Sequence, residues 1–392
     1  MKQSVLIVHN YYQIPGGEDS VVHNEKKLLE QHGHKVILYS RNNSELNTIS
    51  KWKKVLLPIN TIFNFRTYWD IRRIIRQEQI DLVHVHNTLN LISPSVYYAA
   101  QSMHKPVVQT IHNFRLLCPA ATFYRDGSIC EDCVTKGLHC AVQHSCYRGS
   151  KLQTLACVIS TMIHRCTGIY KKLSYICLTD FNREKLLQLK GIRPEQIFVK
   201  PNFTWEQERQ QINTERKEQY LFAARLDELK GIIELLEAWE ELRDAAPKLL
   251  VCGTGSLEEW CRTYITDNHL DMVHLMGQIP VEEVKRLLSE SKALILPTKW
   301  YEGFPMTIVE AYSVGTPVIG PNMGNVGRLI EDGRIGLVYD WENRHGLLEI
   351  IRQVEREEFD YQRIREYYEK QYSAENNYQR LIDIYKKVAS QV

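Results

Sequence analysis

The chain has 392 residues, 44% of them apolar, and a formal net charge of +2. That is enough apolar material for a large core and, at ordinary domain sizes, for two domains rather than one, so a disordered chain is excluded. No uninterrupted apolar run reaches the roughly 18 residues of a membrane-spanning helix, and the near-neutral total conceals two charged halves. Residues 1–200 hold 26 Lys and Arg against 14 Asp and Glu (+12), and residues 201–392 hold 23 against 33 (−10). A basic half suits anionic lipid, an acidic glycan or a lipid diphosphate, and no nucleic-acid partner is expected.

Lys2 leads directly into the apolar strand Ser4 to Val8, with no signal-peptide pattern, so the expected location is cytoplasmic, with peripheral attachment to the inner face of the cell membrane as a further expectation. Gly16-Gly17 follows in a loop before a helix from Asp19 to Gln31, where bare backbone amides could meet a phosphate; a plain turn is the other reading. Lys35 to Tyr39, Leu82 to His86 and Val107 to His112 read as further strands, with a helix near Pro94 to Met103. Strands alternating with helices imply βαβ units and a parallel sheet. His84 and His86 fall on one strand face by their spacing, where polar packing outweighs metal binding.

Eight of the ten cysteines lie between residues 118 and 177. Cys130-x-x-Cys133, with Cys118, Cys140, Cys146, His139 or His144, could complete a structural zinc site; reduced thiols in a small core are the other reading. Two segments mix apolar with basic residues. Lys51 to Arg76 carries Trp52, Leu56, Leu57, Ile62, Phe63 and Phe65 among seven basic residues, and Lys151 to Lys172 spaces Leu152, Leu155, Val158, Ile159, Met162 and Ile163 as a helix. Either lies on an anionic membrane surface or packs into the core.

A boundary is expected near Pro201-Asn202, ahead of the polar stretch Glu206 to Gln219. The second half repeats the pattern, with strands at Tyr220 to Ala224, Leu249 to Gly253, Val273 to Gly277, Ala293 to Pro297 and Pro317 to Ile319, and helices at 232–243, 257–265 and 281–289. After the fourth of these strands comes Glu302-Gly303-Phe304-Pro305-Met306-Thr307-Ile308-Val309-Glu310. Gly303 and Pro305 stop the strand and leave amides near Met306 and Thr307 at a helix start, which favours an anion, while the two carboxylates suit hydroxyls. A sugar nucleotide offers both.

Glu302 to Glu310 resembles the E-x7-E motif of retaining glycosyltransferases of family 4 (group 1), and Ala224-Arg225-Leu226-Asp227-Glu228-Leu229-Lys230-Gly231 is similar to the family's Arg and Lys spacing. The resemblance implies an α/β chain of GT-B architecture, with two Rossmann-like domains whose parallel sheets face each other across a cleft. The domains would be residues 1–201 on the acceptor side, carrying the Cys-rich insertion near 118–146, and 202–372 for the nucleotide sugar, with 373–392 a helix crossing back to the first domain.

It further implies roles. Arg225 and Lys230 would meet the departing diphosphate as its charge grows. Glu302 would face the donor sugar, stabilising hydroxyls and oxocarbenium charge rather than acting as a covalent nucleophile, and Glu310 the ribose. Gly303, Phe304, Pro305, Met306 and Thr307 would line sugar and diphosphate, Gly16 and Gly17 the diphosphate, Gly255 and Ile279 the nucleoside, and His112 a sugar hydroxyl. The activity so implied is transfer from a UDP-sugar, or next a GDP-sugar, to a lipid-linked or growing surface-polysaccharide acceptor by front-face substitution, with no cofactor required for catalysis. A sugar-nucleotide epimerase, a glycan phosphorylase and a noncatalytic glycosyltransferase-like subunit are the alternatives. The first needs no acceptor, the second lacks a recognisable pyridoxal-phosphate lysine motif, and the third is disfavoured by the intact Glu302, Glu310, Arg225 and Lys230.

Overall fold

The computed structural model describes residues 2–13, 16–48, 57–205, 212–333 and 335–390. Trp52 and Leu56, and part of the polar stretch after Trp205, lie outside them. Contacts divide the chain into two units, Met1–Asn202 with Ala374–Val392, and Phe203–Ser373.

In unit 1 the apolar runs become β1 (Ser4–Tyr11), β2 (Lys35–Asn42), β3 (Leu82–Asn87), β4 (Val107–Ile111), β7 (Ser174–Cys177) and β8 (Ile197–Val199), ordered β2-β1-β3-β4-β7-β8. All five pairings are parallel. A small antiparallel ribbon, β5 (Tyr124–Arg125) with β6 (Ser128–Ile129), stands apart in the Cys-rich segment. Helix α1 (Gly17–Gln31) leaves β1, α2 (Leu57–Ile62) and α3 (Phe65–Gln77) precede β3, and α4 (Lys151–Cys166) precedes β7. β7 escapes the sequence reading because it offers only Ser-Tyr-Ile-Cys, yet all four residues are buried between β4 and β8.

Unit 2 holds β9 (Lys217–Ala223), β10 (Lys248–Cys252), β11 (Val273–Gly277), β12 (Ser291–Ile295), β13 (Val318–Pro321) and β14 (Gly336–Tyr339), ordered β11-β10-β9-β12-β13-β14 and again parallel throughout. Helix α5 (Ile232–Leu242) buries Ile232, Leu235, Leu236 and Trp239 on the sheet, with Trp239 Nε1 donating to Pro247 O at 2.7 Å. Each such apolar side chain contributes roughly 1.5–3 kcal/mol of burial. Helix α6 (Met306–Tyr312) follows β12.

The strand orders set where ligands can approach. In unit 2 the connections out of β9 (to β10) and out of β12 (to β13) leave these adjacent strands toward opposite sides of the sheet, and in unit 1 the same occurs at β1 (to β2) and β3 (to β4). Beyond the carboxyl ends of such a pair the helices diverge and leave a crevice. After unit 2, α7 (Ala374–Ala389) returns to unit 1 and packs Leu381, Ile382, Tyr385 and Val388 against Val5, Ile7, Leu82 and Val108.

Candidate active site

Arg225 and Lys230 lie just past β9, and Glu302 just past β12, at the crevice of unit 2. The two loops are pressed together. Gly231 adopts φ +73°, and a Cβ there would stand 1.8 Å from Pro297 O, a gap open only to glycine. Lys299 N donates to Leu229 O at 3.0 Å, and the Thr298 hydroxyl lies 3.0 Å from both Leu229 O and Glu302 Oε1.

This closure places Lys230 Nζ 2.5 Å from Glu302 Oε1, while Trp300 Nε1 donates to the same oxygen at 2.9 Å. The Glu302 side chain is 7% exposed, and Asn325 Nδ2 donates to the carbonyls of Glu302 (2.5 Å) and Gly303 (2.9 Å). One carboxylate oxygen is thus clamped, and Oε2 makes no hydrogen bond among the described residues. Arg225 is 53% exposed and pairs through Nε with Asp227, leaving its terminal nitrogens outward.

Helix α6 begins at Met306 after an extended Pro305; Phe304 and Pro305 are buried, and Gly303, Met306 and Thr307 are half-buried. Glu310 lies farther along α6, where burial pushes its carboxyl up to about 7, with Lys285 opposing the rise and Glu282 adding to it. Gly255, past β10, is explained by packing, since a Cβ there would stand 2.2 Å from Leu226 O. Ile279, past β11, is half-buried.

In unit 1, Gly16 and Gly17 are exposed at the start of α1. Gly16 is extended at φ −133°, a Cβ on it would meet nothing within 4 Å, and its amide donates to Asp19 Oδ2 at 3.1 Å. His112, past β4, lines a recess with His86, Asn87, Tyr97, Asn113 and Arg115. Its Nε2 is 2.9 Å from His86 Nδ1.

Several residues here drew no attention in the sequence. Glu18 is pushed up to about 8 by burial, with the Tyr12 hydroxyl donating to it at 3.1 Å. Glu25 and Lys200 are wholly buried and paired at 2.7 Å. Neither charge is flagged by residue type, since Glu25 sits in an ordinary helix and Lys200 directly follows a strand. His84 and His86 do share one face, and with Glu25 they form the one set of three metal-type ligand atoms within 4.8 Å of one another among the described residues. The Lys200 ammonium already supplies the positive charge at Glu25, and a divalent ion beside it would be repelled, so this is an ionic and hydrogen-bonded core.

The cysteines are all reduced. Cys118 and Cys133 lie side by side; the Cys133 thiol, and after it the amides of Phe123, Ala120 and Ala121, hold the Cys118 thiol below the ordinary thiol range. Cys130 and Cys146 are half-buried close by and add to the field on Arg125, while Cys140 is buried with its sulfur 3.7 Å from His139 Nε2.

A separate surface lies on α2, α3 and α4. Helix α4 buries Thr154, Cys157, Val158, Ser160 and His164, the last 2.9 Å from Ile62 O on α2. Its stripe Leu152, Leu155, Ile159, Met162 and Ile163 is exposed, as are Ile59, Phe65 (66%) and Trp69 (63%). Arg66, Arg73, Lys151, Lys171 and Lys172 are exposed beside them. Of the apolar residues expected on this helix, only Val158 enters the core.

Residues 203–371 match the family model of Glycosyl transferases group 1, and residues 15–129 that of Glycosyltransferase Family 4. The amylovoran biosynthesis glycosyltransferase AmsK of Erwinia amylovora is 32% identical over 148 residues, 36% of this chain and 36% of that protein. The match thus spans about a third of that relative's length. A solved glycosyltransferase from Rickettsia africae ESF-5 superposes with a TM-score of 0.71 at 16% identity, over 99% of this chain and 98% of that one. Anabaena HepE, solved in complex with UDP, superposes with a TM-score of 0.66 at 16% identity, over 98% and 99%. At such identities the likeness establishes the fold, which is GT-B. Matched in both of its units by models of one family, the chain belongs to the group 1, family 4 glycosyltransferases.

Proposed function

We propose that the chain is a retaining glycosyltransferase that moves a sugar from a nucleotide diphosphate, UDP before GDP, to a lipid-linked or growing surface-polysaccharide acceptor. The observation that carries this is the half-clamped carboxylate of Glu302. Lys230 and Trp300 hold Oε1, with the Thr298 hydroxyl shared, and Oε2 is left for a sugar hydroxyl or the charge that develops on the ring. A carboxylate so loaded with donors is a weakened nucleophile, which favours front-face substitution over a covalent glycosyl-enzyme. In that step the acceptor oxygen bonds to the anomeric carbon as the bond to the diphosphate oxygen breaks, and the acceptor proton passes to that departing oxygen. Lys230 has two further N–H groups for the phosphates, and Arg225 presents its outward fork. These two cations neutralise the leaving group, so the reaction needs no catalytic metal. The domains assigned to this work are 1–201 for the acceptor and 202–372 for the donor, with Gly303 to Thr307, Gly255, Ile279 and Glu310 about the nucleotide sugar, Gly16 and Gly17 at the diphosphate, and His112 at a sugar hydroxyl.

The unit assigned to the acceptor carries the apolar and basic surface of α2 to α4, which suits an anionic bilayer and supports the choice of a lipid-linked acceptor. AmsK takes its name from the biosynthesis of a polysaccharide, and HepE was solved with UDP; both support the choice of acceptor and donor. Binding of UDP- and GDP-sugars followed by transfer from the best donor to lipid-linked acceptors tests the reading. Isomerisation of the donor in the absence of acceptor would replace it with the epimerase.

A further inference from the structure

Resting on the proposed contact between His112 and the transferred sugar, we propose that Glu25 and His86 act as positioning residues that fix the tautomer of His112. They keep its proton on Nε2 and leave Nδ1 as an acceptor for a donor-sugar hydroxyl.

The geometry allows one consistent arrangement. Lys200 Nζ lies 2.7 Å from Glu25 Oε1 and 3.0 Å from Asn377 Oδ1, so the Glu25 carboxylate faces a cation and turns its other oxygen toward the histidines. Glu25 Oε2 stands 3.5 Å from His86 Nε2 and 3.6 Å from His84 Nδ1, with every one of these side chains fully buried. His84 is already served on both nitrogens, at 2.7 Å from the Tyr385 hydroxyl and 2.7 Å from the Thr110 hydroxyl. His86 Nε2 and Glu25 Oε2 have no closer partner, although both are cut off from solvent.

Burial, with Lys200, His84 and His9 around the rings, holds His86 and His112 well below the usual histidine range, so both are neutral and each has one N–H. Were the His86 proton on Nδ1, its Nε2 lone pair would confront a buried carboxylate oxygen, two acceptors face to face. With the proton on Nε2 that atom donates toward Glu25, and Nδ1 becomes an acceptor. The only group 2.9 Å from Nδ1 is His112 Nε2, which must then carry the hydrogen. His112 Nδ1 is left with a lone pair and no hydrogen-bond partner among the described residues, on a side chain that lines the recess. The consequence is selective: a hydroxyl can donate to this atom, whereas a group with only lone pairs, such as an ether oxygen or fluorine at that carbon, would be repelled.

The test reads the tautomer directly in the whole protein by NMR of 13C,15N-labelled histidine, with the His112 signal identified by its loss in His112→Gln. The Nε2–H pattern is expected across neutral pH, and an Nδ1–H pattern would overturn the proposal. Glu25→Gln can donate from its amide to His86 Nε2 and reverse the chain of donors. His112 is then expected as Nδ1–H, with kcat/KM for the donor falling roughly tenfold, as for a lost hydrogen bond. A folded Glu25→Gln protein that keeps the Nε2–H pattern would count against the relay; should the variant fail to fold, the spectrum of the unsubstituted protein decides alone. Addition of the preferred UDP-sugar should shift the His112 Nδ1 resonance. An unmoved resonance in a donor-saturated protein would remove the sugar contact, and with it this part of the proposed function, while leaving the tautomer as measured.

Discussion

Lys230 Nζ and Glu302 Oε1 stand 2.5 Å apart although 72 residues separate them in the chain. Each comes from the loop past one of two adjacent strands, β9 and β12, and Gly231 lets those loops touch. The pair holds the carboxylate in place with no ligand bound, and in the proposed reaction it would serve as a preorganised charge that needs no rearrangement as the transition state forms.

Lys230→Ala and Glu302→Ala are therefore expected to lower kcat by about 10²–10³-fold, the usual cost of one transition-state contact. Thermal unfolding should move little, because both side chains lie in loops past the sheet. Near-normal transfer by both variants would defeat the proposed site.

Glu310 predicts a pH dependence of stability. Its carboxyl is pushed up to about 7 in the folded chain against an ordinary value of 4.5, so folding favours the protonated form. The stabilisation is full below 4.5 and lost as pH rises through about 7, a change on the order of 1–3 kcal/mol. Glu310→Gln cannot ionise and should flatten the denaturation midpoint between pH 5 and 8, by about that amount. A variant whose midpoint falls with pH as steeply as the parent's would exclude Glu310 as the source.

For the cysteines the structural zinc stays a proposal for test: no three of the sulfurs of Cys118, Cys130, Cys133, Cys140 and Cys146 stand within 4.8 Å of one another among the described residues, so a metal would have to draw them together. The segment packs Leu138 and Ala141 with Val158, and Phe123 against Phe114, with loop-rich chain around these small clusters. Metal analysis of protein purified without added zinc should find about one zinc per chain, reduced by Cys118→Ser or Cys133→Ser with a lower unfolding temperature. No metal and unchanged stability would leave reduced thiols as the account.

The surface of α2 to α4 should bind vesicles containing anionic lipid at low salt and release them as salt is raised. Trp69→Ala with Ile159→Ser removes two exposed apolar side chains and should weaken flotation by about tenfold or more, at roughly 25 cal/mol per Å² of apolar area. Equal flotation of neutral and anionic vesicles, or none of either, would rule out this mode of attachment.

Much of the fold is legible from apolar runs alone, because a strand buried on both faces has little freedom in composition. β7 and β14 escape for opposite reasons: Ser-Tyr-Ile-Cys is too short to signal, and Gly336–Tyr339 is only half-buried at an edge. In the site, Glu302, Glu310, Arg225 and Lys230 stand out by type and spacing. What spacing cannot give is that Lys230 meets Glu302, which depends on β9 and β12 being neighbours, nor that Glu25 and Lys200 are buried together, which depends on α1 and the end of β8 converging beneath the histidines.

Helix α7 supplies Tyr385 to His84 and Asn377 to Lys200, and β3 and β4 rest on its apolar side through Leu82 and Val108. The first unit is consequently unfinished when its stretch Met1–Asn202 has been made. During synthesis its central sheet must wait, partly uncovered, until all of Phe203–Ser373 has emerged, and shortening the chain behind Ser373 would strip the histidine cluster of its support from a distance.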